Sequence, residues 1–364
     1  MYMKKMLYIL DYMLILIHQL RQAYHTEYVR RCKAMQKYQL KAELYWRLSN
    51  KDTLHLYATN ANLIRRIDTE NPQKLFSFLQ FLSEWRTEAE ILGYAHLDEN
   101  DIAEIMKYLK QQNYLHLNNP IPDYMSRINS FITCFPTKNL SDYLDKLNTT
   151  QVLIIGLGTA GSYQLDLLSK IGIKNFILID GDKVEEKNLG AQNFFYDDVG
   201  KYKASVLKSR YHSKFIHIQA INRQVDSYKQ LTRLVDLSKV NYLTNCADDS
   251  KLCLDILTNL FTEKNDIQLF INGYSILQQI SIKICQKNYL EITNQLKTSL
   301  NNEKDTLNIS CNSGSVYNAY FSALSIGKMI ADDLFQLSDK NYAIGDFYTN
   351  QYRLLTLGKE QFAQ

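Results

Sequence analysis

The sequence predicts an α/β protein in which a mostly parallel sheet follows a smaller α+β domain. From Gln151 onward, hydrophobic strands alternate with helices, a pattern typical of βαβ units. Before that point, a strand-like segment is followed by two capped helices and a short strand. At 364 residues, 46% of them hydrophobic and 22% charged, the chain is long enough for two domains. We expect an N-terminal helix and small domain in 1–118, a linker and lead-in helix in 119–150, and the α/β domain in 151–364.

Composition excludes some classes of function. A net charge of +4 is too small to indicate nucleic-acid binding by itself. None of the six cysteines forms a CxxC pair, so we expect no structural zinc, and reduced thiols in a cytoplasmic protein are the default. The apolar run Met6–Leu20 is interrupted by Asp11 and is too short to span a membrane. We expect it to form a helix packed on its own domain, with a peripheral membrane helix as the alternative.

The first domain has its own pattern of elements. Thr53–Tyr57 alternates polar and apolar residues, as a half-buried strand does. Asn71-Pro72 marks a helix start, Asp98 begins a second helix, and the strand "NYLHL" follows it. Together these elements predict a winged-helix-like domain. A DNA-binding role is disfavoured because the segment Asp98–Leu109 carries four acidic residues and one lysine, and the acids would repel phosphates.

The second domain opens with a glycine-rich loop. The strand "VLIIG" is followed by "GLGTAG", which supplies Gly156, Gly158 and Gly161, and then by a helix. Glycines in this position let backbone amides approach a phosphate. The next strand ends at Asp180, twenty-two residues after Gly158, where a carboxylate can hold ribose hydroxyls. These features leave NAD binding and ATP binding both open.

The motifs further along the chain distinguish ATP binding from NAD binding. "DGDKVEEKNLGAQNFF", "VGKYKA" and "YLTNCADDS" follow in that order. This set resembles the ThiF/MoeB superfamily, the ubiquitin-activating-type adenylating enzymes, whose pattern is GxGxxG, DxDxVxxxNLxRQ, a lysine in a VGxxKA context and an aspartate in a short turn. The resemblance covers about residues 125–335 and implies a Rossmann-like adenylation domain, with a NAD dehydrogenase as the disfavoured alternative.

The resemblance also implies roles for single residues. ATP would be held by the three glycines and by a set of polar side chains: Asp180, Asp182, Asn188, Gln192 and Lys203. Lys203, Asp248 and Arg127 match the family's catalytic positions. Of these, Asp248 would bind Mg²⁺, and Arg127 would reach an ATP in a partner subunit. Lys201 is a weaker candidate than Lys203, and we expect Asp249 to cap a helix.

One departure from the family motif concerns charge. The arginine of NLxRQ is replaced by Ala191, so a phosphate-binding cation is missing. Arg223, Arg210 or Arg127 could substitute for it; otherwise the protein is a weakened copy that serves as a scaffold. Related enzymes use a thiol for acyl or sulfur transfer, for which Cys311 is a better candidate than Cys285, the alternative being that both are ordinary small residues.

The first domain is the best sequence clue to the substrate. A front domain joined to such a core resembles the MccB-like branch, which modifies ribosomally made peptides and binds a leader peptide as an added strand. The resemblance implies ATP- and Mg²⁺-dependent adenylation of a peptide carboxylate or terminal amide, in a homodimer, with a further modifying enzyme as a possible partner. The alternatives are the leader-binding scaffold and an activator of a sulfur carrier or ubiquitin-like protein.

Overall fold

The computed structural model describes residues 36–49, 53–58, 64–117, 121–135, 138–263, 266–286, 288–302 and 314–356. The predicted helix Met6–Leu20 and Cys311 lie outside these residues. The chain separates into two compact units, residues 1–141 and 142–364, and each is described by itself. Helices and strands are numbered along the described residues.

The described residues of the first unit form a small antiparallel sheet and four helices. The sheet has the order β5-β1-β6, formed by β1 (Lys37–Leu40), β5 (Arg86–Thr87) and β6 (Leu115–Leu117). The helices are α1 (Pro72–Phe81), α2 (Glu88–Leu92), α3 (Glu99–Gln111) and α4 (Ser126–Thr133). This arrangement confirms the predicted α+β front domain.

Both predicted helix starts in this unit are confirmed by their caps. Asn71 accepts a hydrogen bond from the Lys74 amide, and Pro72 occupies the first helical position. Asp98 accepts one from the Asp101 amide. Such caps satisfy amides that have no partner within the helix. The helices bury apolar residues at helical spacing, namely Phe78, Leu79, Leu82, Ile102, Met106 and Leu109, and Leu75 and Ile105 pack partly buried against them.

A second three-stranded sheet in the first unit is antiparallel, with the order β2-β3-β4. Its strands are β2 (Leu44–Ser49), β3 (Thr53–Ala58) and β4 (Ile64–Ile67). The sequence predicted the central strand from its alternation, whereas the two flanking strands carry less regular patterns. Because β3 lies in the middle, β2 and β4 are the sheet edges, where backbone groups remain available for pairing.

The second unit is built on a sheet of eight described strands in the order β14-β13-β12-β11-β10-β7-β8-β9. The strands from β11 to β9 are parallel to one another, and β12, β13 and β14 are antiparallel. Their bounds are Gln151–Ile155, Asn175–Ile179, His217–Ile221, Tyr242–Asn245, Gln268–Tyr274, Gln278–Ile284, Tyr342–Asp346 and Gln351–Leu355, for β7 to β14 in chain order. The mostly parallel sheet is therefore confirmed, with an antiparallel extension that the sequence did not predict.

Seven described helices accompany this sheet: α5 (Leu144–Thr149), α6 (Gln164–Lys170), α7 (Lys203–Tyr211), α8 (Tyr228–Leu234), α9 (Ser250–Thr262), α10 (Tyr289–Asn302) and α11 (Val316–Phe335). The last is a long apolar helix, and it contacts α6 closely. A Cβ on Gly327 would lie 2.1 Å from Leu167 Cδ2, so a side chain there would displace the Leu167 side chain from its present position. Within the described residues, no helix is both long and apolar enough to cross a bilayer.

Candidate functional site

A cavity of about 300 Å³ lies at the carboxyl ends of the parallel strands. Its walls are residues that end or follow all five of these strands, β7, β8, β9, β10 and β11. This edge is where open α/β sheets bind ligands, because the connections leave a crevice there. The cavity brings together most of the site residues predicted from the sequence: Gly156, Gly158, Asp180, Asp182, Gln192, Lys203 and Asp248.

The glycine loop needs its glycines for two different reasons. Gly156 has φ +82, and a Cβ there would lie 2.6 Å from the Ala247 amide nitrogen. A Cβ on Gly161 would lie 2.0 Å from the Gly156 carbonyl oxygen, so a side chain cannot fit unless the loop opens. Gly158 is different, since the nearest atom to its Cβ position is Gln192 Nε2 at 3.7 Å. Gly158 therefore leaves open space on the cavity side of the loop, as close approach of a ligand requires.

The helix after this loop begins later than expected. The sequence predicted that it would follow from Ser162, but α6 starts at Gln164. Ser162 is engaged otherwise, since its hydroxyl accepts a hydrogen bond from the Asn193 amide and its own amide donates to the Gly158 carbonyl. These bonds hold the loop in turns for two more residues.

Asp180 connects the glycine loop to the turn that follows β8. Its carboxylate accepts hydrogen bonds from the Leu157 amide at 2.6 Å and from the Asp182 amide at 2.7 Å. Burial raises the pKa of this carboxyl, against the lowering effect of the nearby Lys203 ammonium. Because an ionised carboxylate can accept about four hydrogen bonds, Asp180 keeps acceptor capacity for ribose hydroxyls.

The turn after Asp180 is held tightly against the chain that follows β9. A Cβ on Gly181 would lie 2.7 Å from the Gln224 amide nitrogen, so this position requires glycine. The contact places Arg223 and Gln224 on the cavity wall beside the acidic turn.

Lys203 is a buried cation in the cavity wall. Its side chain is 7% exposed, and its Nζ lies 3.2 Å from Asp182 Oδ2, whose side chain is 63% exposed. The backbone amide of Lys203 donates to the Asp182 carbonyl, which fixes the start of α7 against the acidic turn. Lys201 is exposed and lies outside the lining. The structure therefore favours Lys203 as the cation that faces a ligand.

The two predicted amide side chains differ in position. Gln192 lines the cavity, and its Oε1 is buried without a hydrogen-bond partner among the described residues. A buried acceptor without a partner costs free energy, so this atom is consistent with a ligand donor. Asn188 is outside the lining, where its Oδ1 accepts from the Glu185 amide. The structure thus shows Asn188 shaping the turn that leads to Gln192.

Asp248 and Asp249 follow β10 and behave differently. Asp249 accepts hydrogen bonds from the amides of Lys251 and Leu252 at the start of α9, which confirms it as a helix cap. Asp248 is exposed and lines the cavity. The described residues contain no group of three or more His, Cys, Asp or Glu that could hold a metal. A single carboxylate nevertheless fits Mg²⁺ bound together with substrate phosphates, since Mg²⁺ takes few protein ligands in such sites.

The three arginines that could replace the missing family arginine lie in different places. Arg223 lines the cavity, is exposed, and has no ion pair or hydrogen bond to other described residues. Arg210 binds the Asp198 carboxylate and the Asn193 carbonyl and lies over the Phe195 ring. Arg127 is on α4, in the other compact unit. Arg223 is therefore the available substitute within the cavity.

A buried polar network forms the floor of the cavity. The Sγ atom of Cys246 accepts from Gln164 Nε2 and Asn272 Nδ2, while Asn272 Oδ1 accepts from the hydroxyls of Ser281 and Ser322. Burial raises the pKa of the Cys246 thiol to about 12. A thiol of this kind stays protonated near neutral pH and is a poor nucleophile. Cys246 thus serves the floor of the site as a hydrogen-bond acceptor.

Cys285, one of the two cysteines considered for acyl transfer, is far from this cavity. It follows β12, which runs antiparallel to β11, with Ile284 opposite Leu269 and Gln279 opposite Tyr274. The register places Cys285 opposite Gln268 at the amino end of β11, roughly 20 Å along the strand from its carboxyl end at about 3.4 Å per residue. It lines a separate cavity there. Cys285 therefore lies away from the residues that line the cavity at the carboxyl ends of the strands, which favours its interpretation as an ordinary small residue.

Several wall residues were not predicted from the sequence. Thr159, Gln224, Cys246 and Tyr274 all line the cavity. Gln224, Cys246 and Tyr274 have a common feature, since each ends or closely follows a strand of the parallel sheet. A systematic search of the residues just beyond each predicted strand would have found Gln224 and Cys246, but the end of β11 is not marked by a glycine loop or an acidic motif.

A family model described as the ThiF family matches residues 135–275. Among curated proteins, the chain is 25% identical over 147 residues to ubiquitin-like modifier-activating enzyme 5 of Drosophila melanogaster. It is 26% identical over the same length to the enzyme of that name from Drosophila virilis. In both cases the match covers 37% of this chain and 36% of the relative. The chain thus spans about a third of the length of the curated relatives it matches.

Solved structures match over a larger part of the chain. E. coli MccB, solved with AMPCPP and MccA, has a TM-score of 0.66 at 16% identity, with 90% of this chain and 99% of that chain covered. E. coli MccB with ATP gives 0.63 at 18% identity, covering 90% and 98%. PaaA gives 0.63 at 13% identity, covering 86% and 98%. These identities are low, and the match shows a shared fold that includes both units.

Proposed function

We propose that this protein is an ATP-dependent adenylating enzyme. Two findings support the proposal: residues 135–275 match the ThiF family model, and the chain shares the fold of MccB. The substrate of this protein would be a carboxylate or terminal amide of a ribosomally made peptide. The observation that carries the proposal is the cavity, which is lined by the glycine loop together with Asp180, Lys203 and Asp248. These groups have the chemistry that a nucleoside triphosphate requires.

The reaction follows from the charges in the cavity. A carboxylate oxygen of the substrate attacks the α-phosphorus of ATP and forms an acyl adenylate. The bond from the α-phosphorus to the bridging oxygen breaks, and pyrophosphate leaves with the electron pair. Negative charge develops on the α-phosphate and on the leaving group, so preorganised cations lower the barrier. No protein nucleophile is needed for this step, which fits a cavity whose lining cysteine is a protonated thiol.

Each group in the cavity has a task in this proposal. Asp180 accepts hydrogen bonds from ribose hydroxyls, and Gln192 Oε1 accepts one from the nucleotide. Lys203 and Arg223 bind phosphate oxygens, with Arg223 supplying the cation that Ala191 does not. Asp248 would hold Mg²⁺, which supplies charge neutralisation on the phosphates when bound. Arg127 would act on the nucleotide of the partner subunit in a homodimer.

The first unit is proposed to bind the peptide. Its β2-β3-β4 sheet has two edge strands, and an extended peptide can add to such an edge through backbone hydrogen bonds. The MccB structures solved with MccA support this assignment, since they share the fold of both units. The unit would hold a leader segment while the peptide terminus enters the cavity.

The direct test measures pyrophosphate released from Mg-ATP by the full chain. The substrates are synthetic copies of short peptides encoded beside its gene. We expect peptide-dependent release by the wild-type protein and no detectable release by Asp248→Asn. Asp249→Asn is the matched control, since that residue caps α9, and it should retain most of the rate. Undiminished turnover in the Asp248 variant would overturn the assignment of that residue.

A second candidate function is a scaffold that binds the leader peptide for another modifying enzyme. The replacement of the family arginine by Ala191 favours it. Under this alternative, the protein would bind the peptide but not Mg-ATP. Peptide-dependent release of pyrophosphate would exclude it.

A further inference from the structure

The cavity has two ends that lie on different strands. Asp180 follows β8, whereas Tyr274 is the last residue of β11. The sheet order β11-β10-β7-β8 separates these strands by three steps, and each step is about 4.8 Å, which gives roughly 14 Å. The proposed function places the ribose at the Asp180 end and the phosphates above β7 and β10. The β11 end has no assigned role so far.

Polar side chains gather at this second end. Tyr274 is half-buried and lines the cavity together with Thr159 and Asp248. Burial is the main cause that raises the pKa of the Tyr274 phenol, and the Asp248 carboxylate raises it further, while a hydrogen bond with Thr159 lowers it. The phenol therefore stays protonated near neutral pH and is available as a hydrogen-bond donor.

The Thr159 side chain also lies close to Gly314, in the chain that leads into α11. It is buried, and a Cβ on Gly314 would lie 2.6 Å from its Oγ1. The chain leading into α11 thus contacts the glycine loop directly beside the phenol. This close approach leaves no room for a side chain at Gly314. The buried Thr159 side chain is thus packed into the wall beside Tyr274.

We propose that Tyr274, supported by Thr159, forms the acyl end of the site and binds the carboxyl group that becomes adenylated. This proposal rests on the proposed function. The phenol O–H donates a hydrogen bond to the carboxyl oxygen that does not attack phosphorus, and so directs the other oxygen at the α-phosphate. Tyr274 keeps its proton throughout. Its ring is part of the cavity wall at this end.

The test uses two defined probes in place of the unidentified peptide. AMP occupies the nucleotide part, while 5′-O-(N-glycylsulfamoyl)adenosine is a stable mimic of an acyl adenylate that also fills the acyl end. Calorimetry measures the affinity of each for the wild type and for Tyr274→Phe. We expect the variant to bind the acyl mimic about five- to tenfold more weakly, the value for one lost hydrogen bond, and to bind AMP within twofold of the wild type.

A matched control removes a phenol hydroxyl elsewhere in the same sheet. Tyr242 lies on β10, and its hydroxyl bonds to Asp333 outside the cavity. Tyr242→Phe should leave both affinities unchanged. Equal weakening of AMP and the mimic in Tyr274→Phe would place the phenol in the nucleotide part, and unchanged affinity for both would make it a packing residue; either result overturns the proposal. Failure of the wild type to bind AMP or the mimic would instead overturn the proposed function.

Discussion

Gly161 and Gly190 belong to neighbouring motifs but have very different space around their Cα atoms. A Cβ on Gly161 would lie 2.0 Å from a backbone carbonyl oxygen, whereas nothing lies within 4 Å of a Cβ on Gly190. Gly161→Ala should therefore lower the free energy of unfolding by about 1–3 kcal/mol and weaken nucleotide binding. Gly190→Ala should change stability by less than about 0.5 kcal/mol. Urea unfolding of both variants measures the difference, and equal stabilities would contradict the loop geometry.

Lys203 and Lys201 form a second matched pair. Lys203 is buried in the cavity wall, and Lys201 is exposed outside it. A charge-assisted hydrogen bond contributes about 1.5–3 kcal/mol, so Lys203→Met should weaken Mg-ATP binding by about tenfold or more. Lys201→Met should leave it within twofold. Fluorescence titration with a labelled ATP analogue measures both affinities. A larger loss of affinity in Lys201→Met than in Lys203→Met would identify Lys201 as the lysine that contacts the phosphates.

At the residue scale, the sequence predicted which residues line the cavity better than it predicted their hydrogen bonds. Gly156, Gly158 and Asp180 follow from the glycine loop and from the end of the next strand. Lys203 and Asp248 are implied by the family resemblance, and all five residues line the cavity. The placement of Asn188 against the Glu185 amide could not be predicted, since a motif does not tell which member faces the ligand and which shapes the turn. The wall formed by Tyr274 depends on where β11 ends, which the sequence does not mark.

At the scale of elements, α9 begins at a pair of adjacent aspartates with separate tasks. Asp249 caps the helix, and Asp248 faces the cavity. Asp249→Ala should cost roughly 1 kcal/mol of stability, because it removes the cap, and should change Mg-ATP affinity little. Asp248→Ala should leave stability nearly unchanged and should weaken Mg-ATP binding. Thermal unfolding and Mg-ATP titration of both variants test this, and a shared loss of stability and affinity would contradict the separation.

The predicted elements follow from hydrophobic periodicity and caps, which act locally. The parallel strands β7 and β8 are almost continuous apolar runs with buried side chains, so they could be recognised. The antiparallel strands β12 to β14 extend the same sheet through pairing with β11. Within this extension, the pairing of β12 with β13 joins segments distant in sequence, with Ile280 opposite Ile344. The local pattern of these strands alone does not determine that pairing.

For the whole molecule, α11 presents an apolar face. Tyr317, Tyr320 and Leu324 follow helical spacing and are 68%, 58% and 59% exposed. Exposed apolar surface of this kind is typical of interfaces, and we propose that it contributes to a homodimer. Leu324→Glu should then convert dimers to monomers in sedimentation velocity. Leu290→Glu is the control, since Leu290 is 61% exposed on α10; a monomeric wild type would contradict the dimer.

The measurement that tests the central claim most directly is calorimetric binding of Mg-ATP to the full chain, with Asp248→Asn and excess EDTA as controls. The account predicts saturable one-site binding in the micromolar range that is strongly weakened in the variant and by removal of Mg²⁺. Absence of binding at millimolar Mg-ATP by a folded wild-type protein would contradict it, and would leave peptide binding by the first unit as the function to pursue.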